Sequence, residues 1–233
     1  MKIMTFNTQH CLNYLEQKID FDIMADAIKK CDADIIGLNE MRGECDKAAD
    51  YADQTAILSR LTGIQNYYFA EAIKFGGIKP YGNAMLTKLP IISVETIIIP
   101  DPNPKKYDGY YETRCVLKAK LAGDITVLIT HMGLNPDEQE NAVKTIIENL
   151  ANERCILMGD FNMEPDNPIL NPIRERMVDT AKYFAEPKLS FPSDKPEIKI
   201  DYIFVSSDIE VIEADIPAIV AADHRPHTAT VNL

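Results

Sequence analysis

The chain has 233 residues, 46% of them apolar and 26% charged, which is enough apolar material for a sizeable core and an ordinary charge content for a soluble protein. Its net charge of −12 lacks the basic footprint of a protein that grips nucleic acid non-specifically, although divalent cations can neutralise an acidic cleft. No apolar run reaches membrane-spanning length and Met1–Phe6 has no signal-peptide core, so the expectation is a cytoplasmic protein with no membrane partner.

Lys2–Phe6 reads as an opening strand that ends at Asn7. Asp22–Cys31 follows as a helix, with Met24, Ala27, Ile28 and Cys31 on one face and Asp20 or Asp22 as its cap. Asp34–Leu38 is a second strand running into Asn39-Glu40, and Ala49–Leu61 a second helix stopped by Gly63. Strands are expected at Tyr67–Ala70, Ala84–Thr87 and Ile91–Ile99, the last halted by Pro100. Asp101–Tyr111, rich in Pro, Lys, Gly and Tyr, reads as a long loop. Thr113–Leu121 and Ile125–Thr130 form a hairpin about Gly123-Asp124, and Asp137–Asn152 is a helix entered at Pro136. Cys155–Met158 is a strand, Pro168–Met177 a short helix, and Pro187–Glu197 a second Pro-rich loop. Ile200–Val205, Glu210–Ala214 and Thr228–Leu233 close the chain as strands.

Strands outnumber helices, hairpins and helical crossovers occur in both halves, and no linker interrupts the composition. The expectation is one domain over residues 1–233 of α/β (α+β) class. It has two packed, mainly antiparallel or mixed sheets flanked by helices, a four-layer α-β-β-α sandwich. Five cysteines with no C-x-x-C pair read as reduced thiols, which excludes a disulfide framework and a zinc site.

Polar residues stand at the ends of six apolar runs: Asn7, Glu40, His131, the pair Asp160 and Asn162, Asp201, and the pair Asp223-His224. In Ile156–Glu164 the apolar run meets Gly159, and the period of extended chain sends Asp160 and Asn162 to one side with Phe161 on the other. Taken singly, each such residue is an ordinary turn or cap. A lone histidine is more often structural than catalytic.

Together and in this order the motifs resemble the endonuclease/exonuclease/phosphatase superfamily over essentially the whole chain. Gly159-Asp160-Phe161-Asn162 and the terminal Asp223-His224 carry the resemblance most specifically, supported by Leu189–Ser193 leading into Ile200–Phe204. The resemblance implies a phosphoester hydrolase that uses Mg²⁺ or Mn²⁺, acting as phosphatase or phosphodiesterase, with a nuclease of DNA or RNA as the alternative. It implies metal-side roles for Glu40, Asn7 and Asp223. Asp160 and Asn162 correspond to the pair that positions water and phosphate, and His131 to the phosphate-binding histidine. His224 corresponds to the general base or transition-state stabiliser, with Asp201 orienting its ring. Whether Asp160 or His224 takes the proton from water stays open. Asn83 and Arg114 fall at motif-like positions as substrate-binding wall residues, against the reading of an ordinary strand asparagine and a surface arginine.

The sequence departs from the family pattern in Ala222, where serine is usual, and in Asn39, where glutamine is usual. It contains no tryptophan. None of these removes a candidate site group. Ala72–Tyr81, Asp101–Tyr111 and Pro187–Lys199 are expected to rim the cleft. They offer Lys74, Lys79, Lys105 and Lys106 beside several aromatics. Solvated loops with scattered aromatics are an equally good reading of them. The favoured partner is a small phosphoester, with nucleic acid second; oligomeric state is not legible.

Overall fold

The computed structural model describes residues 1–48 and 51–233. The described elements run β1 (Lys2–Asn7), β2 (Leu12–Asn13), β3 (Lys18–Ile19), α1 (Phe21–Cys31), β4 (Ile35–Arg42), α2 (Gln54–Thr62), β5 (Asn66–Phe75) and β6 (Lys79–Thr87). There follow β7 (Ile91–Ile98), β8 (Cys115–Leu121), β9 (Ile125–His131), α3 (Pro136–Asn149), β10 (Cys155–Asp160) and α4 (Asn171–Arg174). The chain closes with β11 (Met177–Asp179), β12 (Asp201–Ser206), β13 (Glu210–Asp215) and β14 (His227–Asn232).

Two six-stranded mixed sheets face each other, ordered β13-β14-β1-β4-β6-β5 and β11-β12-β10-β9-β8-β7. Their strands are apolar on both faces, and period-2 geometry explains why. Ile3, Ile35, Ile156 and Met158 point into the layer between the sheets. Their neighbours Met4 and Ile36 pack under α1 and α2, and Leu157 packs under α3. Each such side chain, fully buried, contributes about 1.5–3 kcal/mol of transfer free energy. The result is the four-layer α-β-β-α sandwich.

Within each sheet one parallel pair is decisive. β1 pairs with β4 in register Asn7↔Asn39, and β10 pairs with β9 in register Asp160↔His131. β12 joins β10 antiparallel with Asp160↔Asp201. His131, Asp160 and Asp201 therefore form one row across three strands. Gly159 is required beside that row. At φ +148 a Cβ there would lie 1.8 Å from the Thr130 carbonyl oxygen of β9.

Local differences from the sequence expectation have identifiable causes. α1 is capped by Asp20, whose carboxylate accepts the N–H groups of Asp22 and Ile23. α2 begins at Gln54 behind an Asp53 cap, and the expected start at Ala49 lies outside the described residues. The Ala72–Tyr81 stretch is mostly paired β-structure and not a loop: β5 and β6 extend through it, turning at Gly76-Gly77, both at positive φ. Pro168–Met177 yields only a 3₁₀ turn and the four-residue α4 before β11 begins at Met177. No helix among the described residues is long and apolar enough to cross a membrane.

Candidate active site

Asp160 lies at the centre. It is 1% exposed at the end of β10, and both its carboxylate oxygens and its backbone N–H are engaged. Its Oδ2 accepts Asn7 Nδ2–H at 3.0 Å and its Oδ1 accepts the Asn162 backbone N–H at 2.9 Å. Its own N–H donates to Asn39 Oδ1 at 3.0 Å. Asn39, on the opposite sheet, also donates to the Thr130 carbonyl and to Asn83 Oδ1, both at 2.8 Å. The departure at Asn39 is thus a cross-link between the two sheets directly behind Asp160.

Two histidines approach the same oxygen of Asp160, His131 Nε2 at 3.5 Å and His224 Nε2 at 3.6 Å. They are electrostatically unlike. Burial opposes charging of His224, but Asp201, Asp160 and Asp223 outweigh it and raise the ring to about 10. Asp201 does so through a direct 2.8 Å contact with Nδ1. The Phe191 ring packs against the imidazole with centroids 4.9 Å apart. Asp160 is raised from the ordinary carboxylate range, first by burial and then by Asp201, with His224 opposing. The shared proton of this pair therefore resides on His224.

His131 is held well below its ordinary value by burial, Arg114 and His224, so it is neutral. Arg114 Nη1 lies 3.0 Å from Nδ1. A guanidinium can only donate, so Nδ1 is the acceptor and the ring proton sits on Nε2, facing Asp160. Asn162 Nδ2, 3.1 Å from that Nε2, then donates to the Met132 carbonyl at 3.0 Å instead. Arg114 is itself fixed by Glu112 at 2.6 Å, a pair with both side chains nearly buried.

Across the cleft, Glu40 stands in the left-handed region at φ +61. Its Oε1 accepts Asn7 Nδ2–H at 3.1 Å, so one asparagine amide spans Glu40 and Asp160. Asn7 Oδ1 is turned to the Gln9 N–H at 3.0 Å. Burial first, and Glu40 among the nearby charges, raise Asp223 to about 6. The Asp223 Oδ1 and Asp201 Oδ1 atoms are buried without a hydrogen-bond partner. Such uncompensated negative charge, offered by carboxylate oxygens and free of thiolates, fits a hard divalent cation at the Glu40–Asp223 side. Asp160, Asp201 and His224 also bring ligand atoms within 4.8 Å of one another, but the His224 ring already stands between those two carboxylates, Nδ1 bonded to Asp201 at 2.8 Å and Nε2 3.6 Å from Asp160.

The structure therefore brings Asn7, Glu40, His131, Asp160, Asn162, Asp201, Asp223 and His224 to one cleft between the sheet ends. Arg114 reaches it through His131. Asn83 does not face it: at 2% exposure, its Oδ1 accepts from Asn39 and its Nδ2 donates to the Cys115 carbonyl at 3.0 Å, leaving nothing for a substrate. The rim lysines are engaged locally, Lys74 with Glu71, Lys106 with Glu140, Lys105 over Tyr111 and Lys79 over Tyr51. A cavity of about 470 Å³ adjoins Asn162, lined by Met163, Glu164, Asn167, Pro168 and Ile200.

Sequence reading did not single out His10 or Lys199. Lys199 is buried, donates from Nζ to the Asp201 carbonyl at 3.0 Å, and is lowered to about 8 by burial. His10 follows Asn7 closely and reaches within 4.0 Å of Glu40 through a backbone conformation that no glycine or proline announces. The only available signal was proximity in sequence to Asn7.

Comparison with known proteins identifies the family and the fold. The model of the endonuclease/exonuclease/phosphatase family matches residues 4–224. The chain belongs to that family. Its members hydrolyse phosphoesters. Among solved structures, an endonuclease/exonuclease/phosphatase from Beutenbergia cavernae superposes with a TM-score of 0.79 at 18% identity, covering 100% of this chain and 71% of its own. A mannosyl-6-phosphatase from Bacteroides thetaiotaomicron gives a TM-score of 0.76 at 15% identity, covering 100% of both chains. The human Nocturnin catalytic domain with bound sulfate gives 0.70 at 15% identity, covering 100% of this chain and 94% of its own. At these identities the likeness establishes the family fold and no substrate. No protein of curated function matches the sequence.

Proposed function

We propose that the protein is a divalent-cation-dependent phosphoester hydrolase that cleaves a P–O bond of a small phosphorylated molecule by in-line attack of water. The observation that carries this reading is the pair of histidines on one oxygen of Asp160, one locked to Asp201 and the other to Arg114.

With the proton held on His224, Asp160 is the carboxylate free to accept a proton from the attacking water, and burial brings its basicity toward neutrality. His224, as imidazolium, stabilises the negative charge that develops on the phosphoryl group. His131 donates its Nε2–H to a non-bridging oxygen, with the Asn162 amide beside it at 3.1 Å to contact the same group. Asp201 and Arg114 act through their histidines as positioning residues. Glu40 and Asp223 would hold the cation, with Asn7 fixing Glu40. When bound, Mg²⁺ or Mn²⁺ neutralises charge on the phosphoryl oxygens and polarises the phosphorus.

A small substrate is favoured by the net charge of −12, by rim lysines that are engaged with local acids and aromatics, and by the limited cavity beside Asn162. Phosphorylated sugars, nucleotides, lipid headgroups and oligonucleotides, assayed with Mg²⁺ and with Mn²⁺, test it. Turnover of small phosphoesters that disappears in Asp160→Ala is the expected result. Cleavage confined to DNA or RNA and falling steeply with added salt would replace it with the nuclease reading, and equal activity in Asp160→Ala would remove Asp160 from the chemistry.

A further inference from the structure

Gln9, His10 and Cys11 follow Asn7 in the left-handed region, at φ 46, 47 and 63, and none is glycine. A run of three such residues persists only where the surrounding structure holds it. Here it is fastened from two distant places. Gln54 of α2 donates to the His10 carbonyl at 2.7 Å, and the Asp20 N–H donates to the Cys11 carbonyl at 2.9 Å.

The run carries the His10 ring to the cleft, where Nδ1 lies 4.0 Å from Glu40 Oε2. Both side chains are partly open, 24% for His10 and 22% for Glu40. Glu40 is also left-handed, at φ 61. Glu40 stands at the bulge where β4 shifts register against β6 between Leu38 and Met41, and at 4.0 Å it makes no hydrogen bond with His10. Two ligands of one small cation, each at about 2.0–2.1 Å from it, stand roughly 3–4 Å apart. The His10–Glu40 separation has that value. Asn7 occupies the other Glu40 oxygen, which leaves Oε2 as the one facing the imidazole.

Resting on the cation site proposed above, we infer that His10 Nδ1 is a protein ligand of the ion held by Glu40, making the site select Mn²⁺ or another first-row transition ion over Mg²⁺. Mg²⁺ takes oxygen and keeps its waters, whereas an imidazole nitrogen favours the transition ions. Gln54 is then a positioning residue for the ligand, acting through the His10 carbonyl in the manner of the outer contacts that orient metal-bound side chains.

The full chain, stripped with chelator and loaded with Mn²⁺, gives the test without recourse to turnover. Pulsed EPR of bound Mn²⁺ is expected to show coupling to an imidazole nitrogen, and ¹⁵N-histidine labelling should change that coupling. His10→Gln should abolish it and weaken Mn²⁺ binding on the order of ten-fold, with Mg²⁺ affinity far less affected. Glu40→Gln should abolish the site. Bound Mn²⁺ that depends on Glu40 but shows no imidazole coupling, or coupling that survives His10→Gln, overturns the role of His10 and leaves the cation site standing. Mn²⁺ binding indifferent to Glu40→Gln overturns both. A wild-type spectrum without imidazole coupling overturns the role of His10 even if a variant folds poorly.

Discussion

The side-chain carbonyl of Asn39 accepts the backbone N–H of Asp160 at 3.0 Å, so a residue of one sheet sets the position of a residue of the other. Asn39 is fully buried and makes two further hydrogen bonds, to Thr130 and Asn83. Asn39→Ala is expected to cost about 2–4 kcal/mol, because it leaves buried partners unsatisfied. Urea denaturation measures this. Hydrolysis should fall as well, through displacement of Asp160, and an unchanged rate would show that the cross-link serves the fold alone.

The Asp160–His224 pair predicts a bell-shaped dependence of kcat/KM on pH. The acid limb reports ionisation of Asp160 and lies above the ordinary carboxylate range, because burial and Asp201 raise that group. The alkaline limb reports loss of the His224 proton, whose value is raised to about 10. Asp201→Asn removes the nearest charge supporting that proton, so the alkaline limb should move to lower pH and the rate should fall about 10²-fold or more. A profile unchanged in Asp201→Asn would contradict the positioning role.

Arg114→Met frees His131 to adopt either tautomer and leaves Glu112 buried without its cation. The expected result is a fall in kcat of about ten-fold or more with a smaller change in KM. Nitrogen NMR of His131 should show the ring proton no longer confined to Nε2.

Stability should respond to pH in opposite senses at two histidines. His227 is fully buried and held well below 6.5 by burial and Lys199. Its folded value lies below its unfolded one, so its contribution is present above pH 6.5 and is lost as pH falls below it. His224 is raised, so its contribution is present below pH 6.5 and is lost as pH rises toward about 10. Melting curves of His227→Gln should be flatter than wild type on the acid side, and those of His224→Gln flatter on the alkaline side. A common slope in all three proteins would refute the assignment.

Gly159→Ala places a methyl group 1.8 Å from the Thr130 oxygen, which strand pairing does not allow to move. Loss of the folded state is expected, read by circular dichroism and soluble yield. Gly63→Ala, also at positive φ but with nothing within 4 Å, should cost only about 1–2 kcal/mol and serves as the comparison.

Much of this architecture was legible because buried strands with polar ends are a local pattern. Asn7, His131 and Asp160 each end a strand and Asp201 opens one, and the paired register converts that regularity into a cleft, whereas Glu40, expected at a strand end, stands at a bulge inside β4. What was not legible depends on contacts distant in sequence. Asn83 looked like a site residue until Asn39 and Cys115 claimed its amide. Ala72–Tyr81 was expected as a cleft-rimming stretch or a solvated loop, yet only Gly76-Gly77 turns and the flanking residues pair. Lys199, charged in any sequence reading, is packed 3.2 Å over the Tyr202 ring. The left-handed run at Gln9–Cys11 is imposed by Gln54 and Asp20, which composition around Asn7 does not announce.

The row His131–Asp160–Asp201 and the amide of Asn7 that joins it to Glu40 have a consequence for how the molecule assembles. The contacts link residues separated by as many as 153 positions, and neither sheet holds the complete set. Long-range closure of this kind is slow relative to helix and hairpin formation. The cleft is therefore complete only when both sheets have formed and packed, so a chain holding one sheet alone would lack half of its groups.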